Sequence, residues 1–371
     1  MLKQYVFLED RLSNSTRYYS QPVGRIIARQ AYEVTTAFKL ISEALSRGYY
    51  IAGYFSYELG YILEPHLNRL LPSNRKCPLV NLGIFKDFKT NGMPEFSGEQ
   101  RPQEAFMPDW NRAKYKEAFN KVLEKIIAGE VYQTNLTFPM RCKINIDPVV
   151  LYRSLCIKQP VEYGGIVSLG NPVIISLSPE LFFKRDCSNI TMRPMKGTIK
   201  RGFSDLEDIK LANQMKDDKK TQAENLMIVD LIRNDLSRIS EIGTVNVTQL
   251  YGVESYPTLH QMTSTIVGNL RSGLTTFEIL KSLFPCGSVT GAPKIRAMEI
   301  IRELEHFPRE IYCGAIGFID PSGLACFNVA IRSMSIFDDG SAVYNTGSAI
   351  VSDSNSDKEY EECLLKAKFL E

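Results

Sequence analysis

The chain is 371 residues long, 44% hydrophobic and 23% charged, the make-up of an ordinary folded protein. Forty-four basic and 42 acidic side chains leave a net charge of +2, which gives no electrostatic footprint for nucleic acid. Three histidines exclude a histidine-rich metal site, and eight scattered cysteines with no C-x-x-C pair suit reduced thiols in a cytoplasmic protein.

Taken in order, the first residues show no apolar run followed by small residues, so no targeting segment is expected. Apolar side chains at Ala31, Val34, Phe38, Ile41, Ala44 and Leu45 predict a helix over 31–47, stopped by Gly48. GYFSYELGY (53–61) reads as a strand entering a turn. The polar, Gly/Pro-containing stretch 89–104 reads as a boundary. It divides an N-terminal α+β portion, 1–104, packed on the core, from a larger portion, 105–371. Pro108-Asp109 reads as the cap of a helix carrying Tyr115, Phe119, Val122, Leu123 and Ile126, ended by Gly129. A strand over 131–144, a helix over 148–158 and short strands from 163 to 200 follow. The apolar stretch IVSLGNPVIISLSPELFF is broken by Gly, Pro and Glu, so it reads as strands and no membrane span is expected. Residues 204–240 are helical in pattern. Strands return at 243–251 and 259–270, helices at 275–284 and 291–305, and strands at 311–319, 324–337 and 342–350. A last helix begins near Ser356. Strands cluster and do not alternate strictly with helices, which favours α+β with large antiparallel sheets.

Several residues suggest chemistry. Glu224 heads an apolar helical stripe with Met227, Ile228 and Leu231. It reads equally as a buried ion-paired residue, to Arg233 or a distant lysine, and as a functional carboxylate. Glu359 and Glu362 share a helix face, with Lys366 four residues beyond Glu362. Alone they are an ordinary exposed face; with Glu224 they form a carboxylate set suited to magnesium. The turns PCGSVTGAPK (285–294), YCGAIGFID (312–320) and NTGSAIVSDS (345–354) lack phosphate-loop spacing, yet each can offer backbone N–H groups to a carboxylate. Arg332, in an alternating apolar strand, needs an anion, either an internal Asp/Glu or a substrate carboxylate. Lys196 is solvated and inert by default, but in a dry site it becomes a nucleophile, with Glu180 of SPELFF as a nearby acid. His260 reads as a packing residue.

The strings GEVYQTNLT, SPELFF, RPMKGT, AENLMIVDLIRND, LFPCGSVTGAPK, YCGAIGF, NVAIRS and GSAIVSDS followed by EYEECLLKA occur in this order. From about residue 105 onward the chain resembles the chorismate-binding enzymes, and GYFSYELGY looks like a further family segment. The resemblance implies an α+β fold of two large antiparallel sheets packed together with helices outside. It implies chorismate as substrate and magnesium held by Glu224, Glu359 and Glu362 against the ring carboxylate. It implies that Arg332, Tyr312, Gly347 and Ser348 hold the other carboxylate, with Gln133, Thr290 and Lys366 lining the site. Gln133 stands where the isochorismate and salicylate synthases carry a water-activating lysine, which points to the branches that add nitrogen. Lys196 stands where anthranilate synthases usually carry alanine. The P-M-K-G-T form resembles the aminodeoxychorismate branch, in which Lys196 is the nucleophile and Glu180 the acid. Gln261 stands where many relatives carry a histidine. No glutaminase nucleophile on a G-x-C-x-G elbow is present, so ammonia is expected from a separate glutamine amidotransferase subunit or from solution. No pyridoxal-phosphate lyase domain is seen, so para-aminobenzoate is not the expected final product.

Overall fold

The computed structural model describes residues 3–95, 104–256 and 259–371. Half of the expected boundary at 89–104, residues 96–103, lies outside the described residues. The chain opens with β1 (Tyr5–Asp10), β2 (Ser15–Ser20), β3 (Gly24–Ala28), α1 (Ala31–Ser46), β4 (Tyr50–Phe55), α2 (Leu59–Leu63) and β5 (Val80–Phe85). Next come β6 (Met107–Pro108), α3 (Arg112–Ile127), β7 (Gln133–Lys143) and α4 (Pro148–Lys158). Five strands follow, β8 (Tyr163–Ser168), β9 (Val173–Ser178), β10 (Leu181–Asp186), β11 (Asn189–Arg193) and β12 (Met195–Lys200). Then α5 (Asp205–Asp217), α6 (Lys219–Ser237), β13 (Asn246–Ser255), β14 (Leu259–Asn269), α7 (Thr276–Leu283), β15 (Gly291–Ala292) and α8 (Lys294–Leu304). The chain closes with β16 (Ala315–Ile319), β17 (Ala325–Val329), β18 (Ser333–Ile336), β19 (Ser341–Ile350) and α9 (Ser356–Ala367).

The strands form two antiparallel sheets. One runs β15-β7-β19-β18-β9-β8-β1-β2, with β6 on β7; the other runs β12-β14-β11-β10-β17-β16-β4-β5-β3, with β13 on β14. The α+β architecture expected from the sequence is borne out. Residues before 96 supply β1 and β2 to the first sheet and β3, β4 and β5 to the second. Strand alternation explains the layering. Val6, Val167 and Ile174 of the first sheet meet Ala52, Tyr54 and Ile316 of the second in an inter-sheet core. Their neighbours Phe7, Ile166 and Ile175 point outward, under Tyr152 and Leu155 of α4. On the far side Phe38 and Ile41 of α1 cover Ile26 and Ile51. Each such apolar side chain contributes roughly 1.5–3 kcal/mol on burial, so both faces of both sheets are held.

Four local expectations need correction. The cap of α3 is Asn111, whose side chain accepts from Lys114 N–H; Asp109 is drawn away to Arg141, 2.8 Å distant. Residues 204–240 break in two at Asp218, whose side chain caps α6. The strand expected at 324–337 is two strands, and Arg332 lies between them with φ +50. Gly347 and Ser348 lie inside β19, paired with Thr137 and Leu136, and form no turn.

The two breaks between sheets lie side by side. The chain leaves the first sheet between β9 and β10, at Pro179-Glu180, and returns to it between β17 and β18, at Ala330–Arg332. Leu177 N–H donates to the Arg332 carbonyl at 3.0 Å, and Val329 N–H to the Glu180 carbonyl at 3.0 Å. The loop before β16 joins them: Cys313 N–H donates to the Ala330 carbonyl, and Ala330 N–H to the Gly314 carbonyl. Glu180, Arg332 and Tyr312 are thus delivered to one place by topology.

Candidate active site

Glu180 is 2% exposed, at the crossover from the first sheet to the second. Burial raises its carboxyl to about 7, offset in part by a hydrogen bond from Ser288 and by the charge of Lys196. Ser288 Oγ donates to Glu180 Oε1 at 2.6 Å. A carboxyl in this state keeps its proton near neutrality and is suited to general-acid work.

Lys196 lies in β12 opposite Met262, next to an irregularity at Gly197. Gly197 has φ +69, and a Cβ there would stand 2.4 Å from Thr221 Cγ2, so only glycine lets α6 close against the strand. The bulge re-aims the lysine. Lys196 sits deep in the fold yet touches water, as a pocket-lining group does. Burial lowers its pKa most, and the charge of Lys366 adds to this; Glu224, Glu180 and Glu362 oppose it. It makes no hydrogen bond or ion pair among the described residues.

The acidic residues gather around this lysine. Burial raises the Glu224 carboxyl; Lys196 and Lys220 oppose the rise, and Asp353 and Glu362 add to it. Burial raises Glu359 also, with Ser354 donating to it at 2.8 Å. Glu362 pairs with Lys366 at 2.6 Å, and Lys366 Nζ donates to the Gly347 carbonyl at 2.9 Å. Among the described residues, no three acidic, histidine or cysteine side chains converge closely enough to cage an ion. Magnesium does not require a cage: it binds through one or two carboxylates, water and an anionic ligand. Half-buried acids that are costly to ionise side by side fit such a hard cation.

Arg332 is the opposite end of the site. Its pKa is lowered by burial, and Tyr344, Glu162 and Tyr312 oppose the fall. No carboxylate forms an ion pair with it among the described residues, although a half-buried guanidinium is best answered by an anion. Of the two partners open on sequence grounds, the internal one is represented only by Glu162, which acts on Arg332 through its charge without an ion pair. Tyr312 is buried with it, its hydroxyl raised well above the phenol range by burial. Gln261, Pro179 and Glu162 line a small cavity with Arg332.

The floor is built by β7, β15 and β19. Gln133 is fully buried, and its Oε1 has no protein partner. A Cβ at Gly291 would lie 2.2 Å from the Gln133 carbonyl, which explains that glycine. Thr290 does not face the site with a free hydroxyl: its Oγ1 donates to the Cys286 carbonyl at 3.1 Å. Ser288, two residues earlier in the same motif, is the hydroxyl that meets Glu180. Ser348 Oγ lies 2.8 Å from the Tyr115 hydroxyl. The sequence puts Ser288 in a turn expected at the site and Tyr115 on a helix face, but does not show that either hydroxyl meets a site residue. His260 is a packing residue, held by Ser255 at Nδ1 and Asp208 at Nε2, both 2.8 Å.

The chain is similar to proteins of two activities. It is 41% identical over 268 residues to the chloroplastic aminodeoxychorismate synthase of Arabidopsis thaliana, covering 71% of this chain and 29% of that protein. It is 38% identical over 279 residues to anthranilate synthase component 1 of Thermus thermophilus, covering 75% of this chain and 60% of that protein. The chain therefore spans less than two thirds of the length of either relative. The crystal structure of anthranilate synthase component I from Streptococcus pneumoniae TIGR4 has the same fold, with a TM-score of 0.83 over 98% of this chain and 91% of that one, at 24% identity. No helix among the described residues is long and apolar enough to cross a membrane. The sequence motifs resembling the family began in earnest near residue 105, but the family model for chorismate binding enzymes matches residues 3–371, and the chain belongs to that family.

Proposed function

We propose that this chain is the component of aminodeoxychorismate synthase that aminates chorismate at C4, in the cytoplasmic route to para-aminobenzoate and folate, with ammonia supplied by a separate glutamine amidotransferase subunit. The observation that carries the reading is Lys196: deep, unpaired, and within electrostatic reach of Glu180, Glu224 and Glu362. An inert surface lysine has no such surroundings.

In this reading Arg332 and Tyr312 hold one substrate carboxylate. Carboxylates of the set Glu224, Glu359 and Glu362, one or two at a time with water, would hold a magnesium ion, which would supply positive charge against the other. Glu180, protonated near neutrality, gives its proton to the C4 oxygen, which leaves as water. Lys196, as the free amine, forms a bond to C2 while the ring double bond shifts. Ammonia then bonds to C4, the double bond returns, and the C2–nitrogen bond breaks to release neutral Lys196. The new C4 ammonium passes its proton to the Glu180 carboxylate, which restores both groups. Two easier displacements replace one hard one.

Incubation with chorismate, ammonium and magnesium tests this. The expected product is non-fluorescent 4-amino-4-deoxychorismate, with no pyruvate released and no turnover in excess chelator. A fluorescent aromatic product with pyruvate makes the chain an anthranilate synthase component instead, and glutamine hydrolysis by the pure chain would contradict the need for a partner.

A further inference from the structure

We infer that Arg309 is a positioning residue for this reaction: through Val289 it fixes the turn whose Ser288 holds Glu180. The inference rests on the reading of Glu180 as the acid.

Arg309 is 1% exposed. Its guanidinium has five N–H donors, and the structure gives each an acceptor. Nε donates to Glu305 Oε2 at 2.8 Å and Nη2 to Glu305 Oε1 at 2.7 Å, a two-point ion pair. Nη2 also donates to the Asn135 carbonyl at 2.9 Å. Nη1 donates to the Val289 carbonyl at 2.9 Å and toward Cys313 Sγ at 3.7 Å. The plane lies over the Tyr57 ring, 4.8 Å from its centroid. Glu305 Oε1 in turn accepts Thr137 N–H at 2.9 Å.

These partners come from separate segments that each carry a site group. Asn135 and Thr137 belong to β7, headed by Gln133. Cys313 follows Tyr312. Asn345 of β19, two residues before Gly347, donates its side-chain amide to the Arg309 carbonyl at 3.0 Å. Val289 is bonded in sequence to Ser288, so a shift of its carbonyl moves the Ser288 hydroxyl off Glu180. The remaining charged or titratable groups facing Glu180 are Lys196 from β12, Cys286 beside the turn and Cys313 from the loop. None of them replaces the bond that Ser288 makes. A lysine at 309 can answer Glu305 but cannot reach the three other acceptors at once.

The test is R309K, compared with S288A and the double variant, by pH–rate profiles and by melting temperature. Ser288 lowers the Glu180 pKa, so loss of its bond moves the alkaline limb of the profile to higher pH. R309K is expected to shift that limb as S288A does, to lower kcat about 10- to 100-fold, and to leave the KM for chorismate within about twofold. The double variant is expected to shift no further than S288A, because both changes break one link. A limb at the wild-type pH with only a lower melting temperature assigns Arg309 to stability alone and overturns the inference, as do additive shifts. Should R309K fail to fold, E305Q, which keeps the arginine and removes only the charge holding it, carries the same comparison. The limb is read on whichever product the wild type forms, so an anthranilate product ends the proposed function and leaves this test standing.

Discussion

Arg309 lies against Cys313, whose N–H donates to the Ala330 carbonyl two residues before Arg332, and the two arginines differ in how their charge is answered. Every N–H of Arg309 has a partner inside the protein, and its pKa is held well above the usual value by Glu305 and Tyr57 against the cost of burial. Arg332 has no carboxylate partner, and burial pulls its pKa down. The same contrast separates Lys294, paired with Asp235 at 2.5 Å, from unpaired Lys196. It separates Glu305, bound to Arg309, from Glu180, bound by one hydroxyl. Burial alone therefore marks nothing. Around this site the charged groups withdrawn from water but left unpaired, Lys196 and Arg332, are the ones read as meeting substrate, and the buried pair Arg309 and Glu305 is the frame beside them.

The arginines give the largest expected effects. Arg309→Met leaves Glu305 as an uncompensated buried charge, which costs about 3–5 kcal/mol of stability. Arg332→Gln removes a charge that no carboxylate pairs with among the described residues, Glu162 acting on it only without contact, so its melting temperature is expected to hold. Its affinity for chorismate should fall by about 3 kcal/mol, roughly 150-fold. Thermal melts with and without chorismate check both. A strongly destabilised R332Q would break the comparison, since it would mean that the guanidinium has an internal partner after all.

Lys196→Ala is the next step down. The variant keeps Arg332 and the acidic set, so substrate binding should persist while turnover slows about 100-fold, or 2.7 kcal/mol of barrier. Lys196→Arg should rescue nothing, since a guanidinium stays charged. The wild-type profile should be bell-shaped. Glu180, raised to about 7, loses its proton and its acid function on the alkaline side; Lys196, lowered by burial, gains a proton and loses its nucleophilicity on the acid side. Steady-state rates across the pH range read both limbs, and in K196A the acid limb should vanish while the alkaline limb remains and moves to higher pH, because the charge of Lys196 no longer lowers Glu180. An acid limb unchanged in K196A would remove Lys196 from the chemistry.

How much of this was legible in the sequence follows the range of the interactions. Helix α1 came from a repeat contained in 16 residues, and its end from Gly48. The two sheets followed from alternation and clustering of strands. The cap at Asn111 was missed because the competing Asp109 is claimed by Arg141, 32 residues away. Arg332 reads from the sequence as a strand arginine in need of an anion, but the break of the strand at that residue is not legible, because nothing local announces that the chain changes sheets there. Ser288 and Thr290 offer the same hydroxyl in one motif, and only the folded turn decides which points inward and which binds its own backbone. Arg309 was invisible: in HFPREIY it is one charged residue among several, and its acceptors come from residues as far back as Asn135.

The smallest effect, and the sharpest use of the contrast, concerns His260 and Gln261. They are consecutive in β14, so their side chains leave opposite faces of the sheet. His260 has both ring nitrogens answered, by Ser255 and Asp208. Gln261 lines the cavity that holds Arg332. Asp208 does not depend on the histidine, because Arg201 donates to both of its oxygens at 2.7 Å and Gly202 N–H adds a third bond. His260→Asn should therefore cost only about 1 kcal/mol of stability, a shift of about 2–4 °C, and leave kcat and KM of the folded enzyme within about twofold. Gln261→Ala should do the reverse, with little change in melting temperature and a raised KM for chorismate. If His260→Asn instead abolished turnover at an unchanged melting temperature, a fully answered residue would be acting in the site, and the contrast drawn from the two arginines would fail one residue away from Gln261.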